Sequence, residues 1–192
     1  MKKVPPELTE KLLEASATMP VGSGFDVSVD EVAAMSGVPR ATLYYYFSGK
    51  DDLVQFYLND LMERTRVAIQ KAAATEGSHE ARLAAVMTGI IGAFAEYPKM
   101  CMELPAAIKH GADYAEVMLK MDEAVMAPLR EVLIEGKAGK ELTYTDVATA
   151  ANAIMGALHM VSMTRLIQTG HLDADETSAA VVPQLINGLL PR

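Results

Sequence analysis

Apolar residues recur along this chain at three- and four-residue spacing, and nowhere do they alternate with polar ones over the length that a half-buried strand requires. The pattern is sharpest over residues 28–50, SVDEVAAMSGVPRATLYYYFSGK. Val29, Val32, Ala33 and Met35 give a short helix its apolar side. Ser28 and Glu31 have the spacing of a capping box, in which the hydroxyl accepts from the amide of Glu31 and the carboxylate reaches back to the amide of Ser28. Gly37 can leave the helix with positive φ, where other residues are strained. Pro39 pushes Val38 out of the α region and is preset for a first helical position, so a second helix is predicted from Pro39. Two helices joined by so short a turn make a helix-turn-helix unit.

In the second helix, Leu43 and Phe47 lie four residues apart and are expected to face the first helix of the unit, leaving Arg40, Ala41, Tyr44 and Tyr45 outside. Such a face suits a DNA groove. Arginine can bond two acceptors on guanine, alanine and tyrosine rings can pack on a thymine methyl, and the hydroxyls of Thr42, Tyr45 and Tyr46 can donate to phosphate oxygens. Ser48 is placed to cap a further helix with Lys50 at its start, where a lysine beside exposed amides makes a phosphate contact.

Beyond Leu53 almost every signal is helical. A long helix is predicted from Asp51 to about Ala74, with Leu53, Phe56, Tyr57, Leu61 and Val67 near helical spacing. It would couple a DNA-binding domain of residues 1–52 to a second domain of residues 53–192. Further helices are expected from Ser78 or His79 to Tyr97, then over about 99–110, 113–136, 144–169 and 174–190, with breaks at Gly77, Pro98, Gly111, Gly136 to Gly139 and Gly170. A first helix spans roughly Pro6 to Met19. Asp173 with Glu176 repeats the capping logic at the last helix, which Pro183 should kink. The predicted fold class is all-α: a three-helix N-terminal domain carrying the helix-turn-helix, then a helical bundle.

Composition narrows the function. The chain has 192 residues, 51% of them hydrophobic, enough for one small domain and one larger bundle. Its net charge of −8 argues against an anionic membrane surface as partner. The single cysteine, Cys101, rules out an intrachain disulfide; no N-terminal stretch has the character of a signal peptide; and the longest apolar run, Val147 to Met163, is interrupted by Thr149, Asn152, His159 and Ser162. A cytoplasmic protein without membrane contact is expected. Residues 1–75 carry eight Lys and Arg against ten Asp and Glu, a net of −2 that is unlike the basic footprint of most DNA binders. Between Val32 and Lys50, however, the only charges are Arg40 and Lys50, and Lys2 and Lys3 can add phosphate or minor-groove contacts. His79, His110, His159 and His171 have no metal-ligand spacing with one another or with Cys101, and there is no nucleophile elbow or glycine-rich phosphate loop. No metal, cofactor or catalytic residue is therefore predicted.

The run from Ser28 through Val32-Ala33, Ser36-Gly37-Val38, Thr42-Leu43-Tyr44, Tyr46-Phe47 and Lys50-Asp51 to Leu53 resembles the N-terminal DNA-binding domain of the TetR (tetracycline repressor) family of bacterial transcriptional regulators. Pro39 stands where that family often has serine, Ala41 where glycine is common, and Gly49 where serine or asparagine is common; the first helix lacks the usual Ala-x-x-Leu-Phe run. The resemblance implies that Arg40, Ala41, Thr42 and Tyr44 meet bases or the adjoining backbone, and that Ser28, Tyr45, Tyr46 and Lys50 meet phosphate. It also implies a C-terminal domain whose small-molecule pocket changes the spacing of the DNA-binding heads, and hence a ligand-responsive regulator, in expectation a repressor. The alternative from another class is a helical small-molecule-binding protein or enzyme with a vestigial DNA-binding surface, which the acidic N-terminal domain keeps open.

Nine of the thirteen methionines lie between Met87 and Met163, and methionine adapts to irregular apolar space. Tyr114, Met118, Met121 and Val125 fall on one helical face, and Asn152, Met155, His159 and Met163 on another, where an amide and an imidazole could orient a small apolar inducer. Phe94, Tyr97 and Met100 flank a break between helices, where pockets open. A homodimer is expected through the last two helices. Ala150, Ala153, Ala157 and Val161 offer a small-residue face, and Val182, Leu185, Ile186 and Leu189 a stripe broad for a solvent-facing terminus. A two-fold dimer would present two recognition helices to a palindromic operator in double-stranded DNA.

Overall fold

Short-range bonds decide where several helices begin. Ser28 Oγ accepts from the Glu31 amide at 3.2 Å while the Ser28 amide donates to Glu31 Oε2 at 2.8 Å, the reciprocal box read from the sequence. Asp146 accepts from the Thr149 amide at 2.7 Å and Asp173 from the Glu176 amide at 2.9 Å, each satisfying an amide that a helix start leaves without an intrahelical partner. The Glu176 carboxylate itself goes to Arg165, 2.8 Å away.

The computed structural model describes residues 3–17, 28–96, 98 and 114–188, and every regular element among them is helical. In chain order these are α1 (Pro6–Ala17), α2 (Val29–Ser36), α3 (Arg40–Tyr46), α4 (Lys50–Ala73), α5 (His79–Glu96), α6 (Tyr114–Met121), a π turn (Asp122–Met126), α7 (Ala127–Ala138), α8 (Val147–Thr169) and α9 (Ala174–Asn187). The helix predicted over about 99–110 and the predicted end of α1 lie outside the described residues. Pro39 caps α3 instead of opening it: its ψ of 135° is not helical, and its carbonyl accepts from the amides of Thr42 and Leu43. The described residues divide into two compact units, 3–17, 28–61 and 114–117 in the first, and 62–96, 98 and 118–188 in the second. The division falls inside α4 and inside α6, so each of these helices contributes to both units.

The first unit is built on one apolar cluster in which Leu12, Val32, Leu43 and Phe47 are completely buried, with Val29, Val38, Leu53 and Phe56 around them. The rings of Phe47 and Phe56 meet edge to face at 5.3 Å, an arrangement favoured by the quadrupoles of the two rings. Tyr57 on α4 adds its ring and donates its hydroxyl to the Leu12 carbonyl of α1 at 3.1 Å. Burial raises the phenol's pKa well above its ordinary value, so the donor keeps its proton.

The second unit is organised around α5, which packs on α7, α8 and α9. A helix touched on several sides must be apolar on several sides, and Leu83, Val86, Met87, Ile90, Ile91, Ala93 and Phe94 are all buried. α8 is 23 residues long, with a mean hydropathy of 1.2 in its most apolar stretch, and is the one helix among the described residues long and apolar enough to cross a membrane. Here it packs on α5, α7 and α9.

Between α6 and α7 the helix widens. The Ala127 amide donates to Asp122, five residues back, and Pro128 follows with no amide to give. Arg130 brackets the widened turn by bonding both oxygens of Asp122, each at 2.8 Å. The single helix predicted over 113–136 is thus interrupted, and Val125 is turned fully into the core while Met118 and Met121 stay half-buried.

One polar clasp holds the ends of three helices in this unit. Glu141 accepts from the His79 amide and from His79 Nδ1, both at 2.7 Å, and so caps α5 from 62 residues away. Arg82 donates to Glu135 near the end of α7 and to the Ala73 carbonyl at the end of α4, at 2.6 and 2.8 Å. Gly136 permits the close turn: a Cβ there would lie 2.5 Å from Leu142 Cδ1. These His79 bonds hold the Glu141 carboxyl below the usual carboxylate range. A depressed folded-state pKa contributes stability above the unfolded value and loses it as pH falls through the folded one. Urea melts of Glu141→Gln are therefore expected to fall short of wild type at about pH 7, with the gap closing as pH drops below about 4; a gap independent of pH would contradict the charge-dependent cap.

Candidate nucleic-acid interface

α3 is aimed by two apolar side chains, Leu43 within it and Phe47 at its C-cap. With Leu43 and Phe47 at zero exposure, the same rotation that seats them turns Arg40, Ala41, Tyr44 and Tyr45 to solvent. Tyr44 is 54% and Tyr45 60% exposed, high values for aromatic rings. Thr42 and Tyr46 are half-buried. Tyr46 packs its ring on the core and meets Tyr45 edge to face at 4.9 Å, which leaves its hydroxyl as the part suited to a phosphate. Beside the helix, Leu8, Lys11, Val38, Pro39, Thr42 and Tyr46 line an open groove of about 280 Å³. Gly37, at φ 66°, makes the turn that holds α3 in this orientation. Met35, read from the sequence as part of the apolar side of α2, is 41% exposed because it lies at the edge of that stripe.

Three acidic residues around α3 are engaged locally. Asp30 Oδ2 lies 3.2 Å from Arg40 Nη1. Glu31 Oε2 accepts from the amide and the hydroxyl of Ser28 at 2.8 and 2.7 Å. Asp52 accepts from the Ser48 amide at 2.8 Å, and its bonds to Ser48 hold its carboxyl below the ordinary value. The phosphate contact expected of Ser28 is therefore in competition with its cap, since the single hydroxyl proton already goes to Glu31. Lys50 is the first residue of α4 and half-buried, at the helix end that favours anions. The Asp30–Arg40 pair was missed by sequence reasoning, because it joins two helices across the turn and no spacing rule encodes it.

In the second unit, Phe94 on α5 is buried and its ring meets the His159 ring of α8 at 5.8 Å, nearly perpendicular. Met155 and Met163 lie one turn to either side of His159 and are half-buried like it. Asn152, expected on the same wall, is exposed and sits at its solvent edge. Tyr97 and Met100 lie outside the described residues, and nothing among the described residues forms a metal-binding group. The residues expected at the dimer interface differ in exposure. Ala150, Val182 and Ile186 are buried in this unit's own core, where α8 packs on α5 and α7 and α9 packs on α5 and α8. Ala157, Val161 and Leu185 are half-buried, Ala153 is exposed, and Leu189 is outside the described residues. The exposed residues of these helices include Ala153, Gly156, Met160 and Ile167 on α8 and Ala179, Ala180 and Pro183 on α9.

Residues 12–55 match the family described as "Bacterial regulatory proteins, tetR family". No curated protein matches the chain. Among solved structures, the fatty acid degradation regulator FadR from Bacillus halodurans is similar over 100% of both chains, at 22% identity and a TM-score of 0.76. FadR from Bacillus subtilis in complex with stearoyl-CoA is 19% identical, with 93% of this chain and 98% of that one covered and a TM-score of 0.72. The ketosteroid transcriptional regulator KstR2 of Mycobacterium tuberculosis is 17% identical, with 99% and 98% covered and a TM-score of 0.76. The fold of the whole chain is thus that of these regulators.

Arg40 and Lys50 are expected to act differently if this face meets DNA. Arg40→Ala should cost about 1 to 3 kcal/mol on a selected duplex and relax preference at one base pair. Lys50→Ala should weaken all sequences by a similar factor and flatten the salt dependence. Fluorescence anisotropy against selected and scrambled duplexes over a salt series separates the two; equal loss on both duplexes for Arg40→Ala would deny it a reading role.

Proposed function

We propose that the chain, whose residues 12–55 match the tetR family of bacterial regulatory proteins, is a ligand-responsive transcriptional repressor released from a palindromic operator by a small apolar molecule. The observation that carries this reading is α3: two buried residues fix its rotation, and Arg40, Ala41, Tyr44 and Tyr45 are left on one outward face of the size a major groove admits. Its site of action is the cytoplasm, where bacterial DNA lies, and no catalytic residue is assigned. The carrier or enzyme alternative is not favoured, because the similar structures named above are those of regulators.

The inducer we propose has a long or polycyclic apolar skeleton with one hydrogen-bonding group. Phe94, Met155, His159 and Met163 support an apolar contact with a single polar handle, and the names of the similar regulators refer to fatty acid, stearoyl-CoA and ketosteroid. Such a ligand weakens DNA binding only by preferring a conformation whose heads do not fit the operator, and the coupling is typically about 1 to 3 kcal/mol, or roughly 5- to 150-fold in affinity. Long-chain acyl-CoAs and sterols should raise the melting temperature of the full chain and release it from a selected duplex. His159→Trp, which places a larger ring against Phe94, should abolish both effects, and hits unaffected by this change would move the site elsewhere.

The repressor acts as a two-fold dimer in this reading, since one short recognition helix reads few base pairs. The exposed small-residue face around Gly156 and Ala179, with Met160 and Ile167, allows close approach of a second copy. Light scattering should find wild type dimeric at micromolar concentration, and Met160→Glu with Ala179→Glu monomeric and folded. A double variant that stays dimeric would reject this face.

A further inference from the structure

We propose that Asp30 is a specificity-determining residue that acts by positioning Arg40; this rests on the DNA-binding reading above. Arg40 opens the recognition helix and is the one cation between Val32 and Tyr46. Asp30 lies on the first turn of α2, and its Oδ2 stands 3.2 Å from Arg40 Nη1 across the turn between the two helices. The Arg40 side chain is 68% exposed and that of Asp30 43%, so the pair sits at the surface where α3 would meet a groove.

A guanidinium carries its donors on a rigid plane and reads guanine with two parallel N–H groups. Engaging Nη1 with Asp30 leaves the edge formed by Nε and Nη2 for the O6 and N7 acceptors. The carboxylate thus selects the edge that faces the bases and reduces the freedom that Arg40 loses on binding. On a duplex without guanine at that position, an unrestrained arginine would swing to the nearest phosphate. Asp30 opposes this twice: it competes for the guanidinium, and its own charge is repelled by the phosphate backbone. Glu31 and Asp52 do not serve in this way, because their carboxylates are bonded to Ser28 and Ser48, in the caps of α2 and at the start of α4. Asp30 faces a side chain of the recognition helix.

The pairing therefore suppresses binding to unrelated sequence more than binding to the right one. This is the property an acidic regulator with few phosphate-binding cations needs in order to discriminate. The test uses the full-length protein, a duplex selected by wild type from random-sequence DNA, and an unrelated duplex of equal length and base composition. Asp30→Asn is expected to tighten binding to the unrelated duplex about 5- to 10-fold and steepen its salt dependence by about one phosphate per head, while changing affinity for the selected duplex less than about twofold. In an Arg40→Ala background the same change should leave the ratio of the two affinities unaltered. Asp30→Ser, also tolerated in a first helical turn, should reproduce Asp30→Asn if either variant is unstable. Equal shifts on both duplexes, or none on either, would overturn the proposal while leaving the DNA-binding reading in place. Wild type without salt-dependent affinity for either duplex would overturn that reading as well.

Discussion

The burial of Leu43 and Phe47 is the constraint on which the first unit depends. Leu43 lies within the seven-residue α3 and Phe47 is its C-cap, and their joint burial determines what α3 shows to the outside. Removing a buried phenylalanine from such a core costs about 3 to 5 kcal/mol, which is large against the marginal stability of a small domain. The Phe47–Phe56 contact ties the end of α3 to α4, and the Tyr57 bond ties α4 to α1. A change in the core would therefore be felt as a change in the aim of Arg40 and Tyr44 rather than as loss of stability alone.

Charge in this unit is handled locally. A net of −2 over residues 1–75 looks unsuited to a polyanion until the carboxylates of Asp30, Glu31 and Asp52 are followed to their partners. Glu31 and Asp52 stabilise helix starts through Ser28 and Ser48, and Asp30 meets Arg40. Bonding does not remove their charge, so attraction to generic DNA stays weak and discrimination falls to shape and to few, well-held donors. Surface pairs of this kind contribute little to stability, commonly under about 1 kcal/mol, and their value here lies in orientation.

The second unit is held by a different logic. α5 is apolar nearly all round because three helices pack on it, and the His79, Glu141, Arg82 and Glu135 side chains then fasten helix ends that apolar contact alone would leave free to slide. The π turn at Asp122–Met126 adjusts the register between α6 and α7, where Pro128 has no amide to offer. Methionine serves two ends here. Met87 and Met126 fill the core, whereas Met155 and Met163 remain half-buried beside His159.

The sequence by itself determined the local features: the Ser28–Glu31 box, the Gly37 exit, the inward pair on α3, the all-helical class and the order of most helices. Each follows from backbone rules that act within a few residues. Only tertiary structure decided the rest. The stripe on the last helix could as well have faced a second copy as α5, since hydrophobic spacing records that a face is buried and not by what; Val182 and Ile186 went to the unit's own core, and Ala150 with them. Asn152 shares a helical stripe with Met155 and His159 but lies at its solvent edge, a distinction of one helical step that the period cannot resolve. Asp30 with Arg40, and Glu141 with His79, are pairs made by helices meeting in space. Periodicity carries no information about which helices meet, because contact across a turn or over 62 residues depends on packing that no local rule encodes.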